Sequence, residues 1–163
     1  MKRFAIPAVS VLVLVFASHL SEPRAQSADA SVVKERQQLM KKMGGSFGPI
    51  IAVAKGESDD FAAAQSSAQT IHDSIVKLQT LFPAGTGVGE VSGSRAKLEI
   101  WAQRAEFDAA AQNLEMAAAG LAEAAAAANI DVYRQRLAIL GNACGGCHEG
   151  ASDAGGKFRM AEQ

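Results

Sequence analysis

The chain predicts an all-α fold, an antiparallel four-helix bundle. Three observations carry this. Apolar residues recur at steps of three and four along four successive stretches, and no stretch alternates with period two. Residues 83–94 hold four glycines and one proline, and read as a surface loop between the second stretch and the third. The second half of the third stretch, Ala117 to Ala119 and Ala124 to Ala128, is alanine-rich. Alanine is the best helix former, and its small side chain lets helices approach closely. Four amphipathic helices with two short turns and one longer loop make such a bundle.

The first helix is expected from about Ser31 to Lys55, with Val32, Leu39, Met40, Met43, Phe47, Ile50, Ile51 and Ala54 on its apolar stripe. Gly44, Gly45 and Gly48 each weaken it by about 1 kcal/mol relative to Ala. They mark either a poor helix or a close backbone approach to a flat bulky object or a neighbouring helix. Pro49 predicts a kink near the last turns. Gly56 suits a left-handed C-cap, and Ser58 or Asp59 can cap the next helix.

The second helix carries Phe61, Ala64, Ala68, Ile71, Ile75, Leu78 and Phe82, and Pro83 ends it. The third is expected from Ser94 to about Ala128. Ile100, Phe107, Leu114 and Leu121 recur every seventh residue on one face, with Trp101 beside them. Asn129 and Asp131 are candidate caps for the fourth, where Tyr133, Leu137, Leu140, Cys144 and Cys147 share a face. Glu149 to Gln163, rich in Gly, Ala, Ser and Asp, is expected to be loose.

At the end of the fourth helix stands Cys144-Gly145-Gly146-Cys147-His148. A Cys-x-x-Cys-His run is the attachment signature of a c-type haem. Two thiols on one helical turn can each close a thioether to a haem vinyl group. His148 then offers its imidazole to the iron as proximal ligand. The chain has only these two cysteines. A zinc site needs about four N or S ligands, and beyond this cluster the expected mature chain has only His72. A thioredoxin-like motif wants a βαβ context that is missing. A disulfide closing so short a loop would stabilise little. The fold expectation is therefore a bundle with one covalent haem c in its core.

Met1-Lys2-Arg3-Phe4 is a short basic head, and the apolar run Ala5 to Ala17 comes directly after it. This pattern fits a secretory signal peptide, too short to span a bilayer as a mature helix. Ala28-Asp29-Ala30 is an A-x-A cleavage site, and cleavage after Ala25 is the alternative. The expected organisation is a signal peptide over residues 1–30, a bundle domain over 31–149 and a flexible tail over 150–163. Export places the protein in the periplasm and agrees with haem attachment, which occurs outside the bacterial cytoplasm. Removing residues 1–30 leaves 13 basic and 15 acidic residues, a charge of −2. The basic residues are scattered, which argues against a nucleic-acid partner.

With its C-terminal haem motif and helix pattern the chain resembles the class II c-type cytochromes, the cytochrome c′ family. The resemblance rests on Lys34-Glu35-Arg36-Gln37-Gln38-Leu39-Met40, Lys55-Gly56-Glu57, Leu81-Phe82-Pro83-Ala84-Gly85-Thr86, Glu99-Ile100-Trp101 and Phe107, at their spacing to the haem motif. It implies an electron-transfer haemoprotein with redox partner proteins, not an enzyme. It also implies pairing of two chains through the first two helices, where Gly44, Gly45, Ala62 and Ala63 would permit close approach.

The family divides at the sixth iron position. An apolar side chain there leaves the iron high-spin and open to NO or CO. A methionine there, as in cytochromes of the c-556 type, makes it low-spin and suited to electron transfer. The corresponding residue here is Met40, four after Arg36 and fifteen before Lys55. Core filler is the other reading of Met40, and Met43, one turn on, is a rival ligand. Arg36 falls where the family places an Arg near the haem edge, able to meet a propionate. Snorkelling from the bundle end is its other reading. His72 reads as a surface or half-buried residue. The family's aromatic-Arg pair just after the motif is displaced. Ser152 stands at the Arg position, Gly150 to Gly156 looks inserted, and Phe158-Arg159 comes seven residues later.

Three functions stay open on the sequence. The first is a periplasmic electron carrier with His148 and Met40 as axial ligands. The second is a gas-binding protein with an open distal site. The third is a haem-free helical adaptor with a Cys144–Cys147 disulfide.

Overall fold

The computed structural model describes residues 23–148 and 156–160. Six helices occur in order: α1 (Pro23–Gly45), α2 (Phe47–Lys55), α3 (Phe61–Leu78), α4 (Glu99–Ala102), α5 (Arg104–Ala126) and α6 (Ile130–His148). They form the four columns of the expected bundle: α1 with α2, then α3, then α4 with α5, then α6. The core runs down the axis through Ile50, Ile71, Ile75, Leu121 and Leu140. No described helix is long and apolar enough to cross a membrane. Residues 1–22 of the expected signal peptide lie outside the described residues. α1 begins at Pro23, so both expected cleavage points fall inside its first turns.

The first column breaks at Ser46 rather than bending at Pro49. Proline lacks an N–H, and its ring strikes the carbonyl four residues back, here that of Gly45. The Ser46 hydroxyl and N–H both turn to the Lys42 carbonyl, at 3.0 and 3.2 Å. Pro49 then sits in the first turn of α2, where a missing N–H does no harm. A Cβ at Gly44, Gly45 or Gly48 would meet no atom of another described segment within 4 Å, so among the described residues no other helix approaches them closely.

α2 stops as expected at Gly56, in the left-handed region at φ 75°. The Gly56 and Glu57 N–H groups return to the carbonyls of Val53 and Ala52, at 3.0 and 2.9 Å. The next cap is Asp60, not Ser58 or Asp59: its carboxylate accepts from the Ala63 N–H at 2.9 Å. α3 ends at Leu78, before Pro83. A turn intervenes, in which the Thr80 and Leu81 N–H groups donate to the carbonyls of Lys77 and Leu78 at 3.1 and 3.0 Å.

The third column starts later than expected. Residues 95–97 give their backbone to the C-terminal segment instead of to a helix. Ala96 bridges Arg159, the Lys97 N–H donates to the Phe158 carbonyl at 3.1 Å, and the Met160 N–H donates to the Arg95 carbonyl at 2.9 Å. Residues 156–160 of the expected loose tail are therefore docked on the bundle, and Phe158 is only 3% exposed. The remainder of that segment, 149–155 and 161–163, lies outside the described residues.

Asn129 caps α6, its side-chain carbonyl accepting from the Val132 N–H at 3.1 Å. One turn on, Tyr133 is fully buried, edge-on to Phe61. Its O–H donates to the Ile50 carbonyl at 3.0 Å, and burial pushes the phenol up to about 12. With the Arg134 Nε bond to the Ala54 carbonyl at 2.8 Å, this ties α6 to α2. Tyr133→Phe removes the bond and leaves a buried carbonyl less satisfied. A loss of about 1 kcal/mol is expected, read from the denaturant midpoint; an unchanged midpoint would show that the ring alone matters.

Candidate haem site

The first and fourth columns touch where α2 meets α6 and separate beyond it. α1 and α6 share no close backbone contact. The space between them is a cavity of about 790 Å³, within the range of about 300–1,000 Å³ typical of cofactor sites. Its floor is apolar, built by Ile71, Ile75 and Leu78 of α3 and by Phe107, Ala111 and Leu114 of α5.

α6 brings Cys144, Cys147 and His148 to this cavity together. Steps of three and four residues put all three on one helical face. The thiols are free. Burial pushes both above the usual thiol range, and Cys144 pushes Cys147 further the same way. That is opposite to the depressed pKa of a redox-active dithiol. Among the described residues no cluster of three or more His, Cys, Asp or Glu could hold a metal ion. The residues present do fit a covalently held haem: a thiol pair one turn apart, an imidazole beside it, and an apolar space facing them.

α1 supplies the facing wall. Val33, Arg36, Met40, Met43 and Gly44 line it at steps of four or fewer, and Phe47 at the start of α2 extends it. Met40 is half-buried and Met43 is buried in the core, and both border the cavity. His72 is not among the lining residues. It stands on the surface of α3, with Nδ1 3.1 Å from the Asp73 carboxylate. Hydrogen bonds from His72 and then Gln69 hold that carboxyl below its usual range. Trp101 packs beside Ile100 and Phe107, and its N–H donates to the Phe82 carbonyl at 3.2 Å.

Arg36 lines the cavity but does not snorkel, being 6% exposed. Its guanidinium donates to the Thr86 carbonyl at 2.7 Å and to the hydroxyls of Ser94 and Thr86 at 3.3 and 3.4 Å. It lies 4.7 Å above the Phe82 ring. Burial lowers its pKa from the ordinary value, yet an arginine keeps its charge in proteins. The loop 83–94 thus holds a fixed cation at the cavity wall. The sequence pattern assigned no role to Thr86 and Ser94 in this. It also assigned none to Phe158 and Arg159, which return to line the cavity. The available signal was an aromatic residue standing alone in a stretch of small and polar ones.

The family model described as Cytochrome C′ matches residues 31–150. A cytochrome c′ of Pararhodospirillum photometricum is 34% identical over 117 residues, which cover 72% of this chain and 92% of that one. A cytochrome c-556 of Agrobacterium fabrum is 35% identical over 124 residues, 74% of this chain and 80% of that one. The solved cytochrome c′ from Rhodobacter spheriodes superposes with a TM-score of 0.70 at 29% identity, covering 82% of this chain and 98% of that one.

Proposed function

Because this chain belongs to the cytochrome c′ family, we propose that it is an exported one-electron carrier whose haem iron sits between His148 and Met40. The family carries covalent c-type haem, and Cys144-Gly145-Gly146-Cys147-His148 fits its attachment motif. When bound, the haem supplies an Fe(III)/Fe(II) couple. The chain's own residues hold and tune it. Cys144 and Cys147 fix its edge to α6, and His148 gives the proximal nitrogen. The apolar floor excludes water, and the cation of Arg36 at the wall suits a propionate.

The observation that carries the reading is the position of Met40 on the cavity-facing wall of α1, across the cavity from α6. A thioether there completes the coordination sphere and raises the potential. A filled sphere also leaves little ligand rearrangement between the two oxidation states. The basic head and the apolar run Ala5 to Ala17 support export to the periplasm. In this role the protein exchanges electrons with redox partner proteins and is not an enzyme.

The second reading is a gas-binding protein with an open distal site. Relatives bearing the names cytochrome c′ and cytochrome c-556 match about equally well. The test is the absorption spectrum of the reduced protein with and without CO. A low-spin spectrum that CO leaves unchanged is expected. A high-spin spectrum that CO alters at once would establish the gas-binding reading instead.

A further inference from the structure

We infer that Phe158, carried back to the bundle by residues 156–160, is a positioning residue for the haem-bearing end of α6. The inference rests on a covalent haem in the cavity, not on Met40 as its distal ligand. The last carbonyls of a helix have no partner within it, and Cys147 lies in the last turn of α6. The Phe158 N–H approaches the Cys147 carbonyl at 3.4 Å. Gly156 lies so close to Cys147 and His148 that a Cβ on it would collide with their backbone.

The segment is held from the other side as well. Lys97 donates from its Nζ to the Gly156 carbonyl at 2.8 Å, and Lys157 pairs with Glu106. The buried Phe158 ring meets Phe107 edge-on at 5.4 Å, Phe107 meets Phe82 at 4.8 Å, and Cys147 packs against this cluster. One aromatic row therefore runs from the last turn of α6 to the ring beneath Arg36.

This arrangement does two things beside His148. It braces the turn that carries the imidazole, and its buried ring gives that end of the cavity an apolar wall. Oxidation of the iron adds a positive charge, which an apolar wall disfavours and water favours. The ligand's surroundings thereby set the potential. Removing the ring should favour Fe(III).

The test compares holoproteins by spectroelectrochemical titration. Phe158→Ala is expected to shift the Fe(III)/Fe(II) ratio at fixed applied potential about tenfold toward Fe(III), or 59 mV for one electron. Phe158→Leu, which refills most of the apolar volume, should recover most of the shift. A lower melting temperature with an unchanged potential would make Phe158 mere core filler and overturn the inference. So would a Leu variant no better than Ala. Should Phe158→Ala fail to mature, Gly156→Ala presses the segment away from Cys147 and keeps the ring. The same direction of shift is expected there, and none would overturn the proposal. The wild-type CO spectrum judges Met40 separately, since each shift is measured against wild type in whichever spin state it has.

Discussion

Met40→Ala is expected to convert the iron from low-spin to high-spin and to open it to CO, with uptake complete on mixing. The potential should fall, because a ligand that favours Fe(II) has gone. Met40 borders the cavity from α1, across from the helix that carries His148. Met43→Ala is the control. Met43 is 6% exposed, and its truncation should cost about 2–5 kcal/mol through the cavity it leaves. Its spectrum should match wild type. A spectral change from Met43→Ala with none from Met40→Ala would name Met43 as the ligand, one turn further along the same wall.

The second large effect is loss of the haem. The Cys144→Ala, Cys147→Ala double variant is expected to be isolated without covalent haem and to lose its sharp melting transition. A void of 790 Å³ at about 24 cal/mol per Å³ would cost on the order of 19 kcal/mol. That is an upper bound, because the cavity opens to solvent on one side. It still exceeds the roughly 5–15 kcal/mol that holds a typical domain together. The empty site must therefore collapse or flood. α1 and α6 share no close backbone contact along it, so no packing between these two helices takes the place of the haem. Calorimetry checks this: a haem-free variant melting as sharply and as high as the holoprotein would show that the bundle stands without its cofactor.

The four columns were legible in the sequence, because burial of one face leaves a period of three and four residues that can be read directly. Ile100, Phe107, Leu114 and Leu121 are all buried as that period requires. The attachment motif and the stop at Gly56 were legible too, since both are local: a turn of helix and one left-handed residue need no distant partner. The family is legible from the motif's place behind those helices.

Tertiary structure alone decided the rest. The start of the third column moved because residues 95–97 found backbone partners some sixty positions away, in 158–160. Arg36 became a fixed buried cation because a loop fifty residues on supplies Thr86 to its guanidinium. Phe158 joined the cavity wall from a segment whose composition says only that it can be loose. Hydrophobic period reports which face a residue takes on its own helix. It cannot report which distant segment will close over that face, because that choice depends on hydrogen bonds and ring contacts that form only once the columns have met.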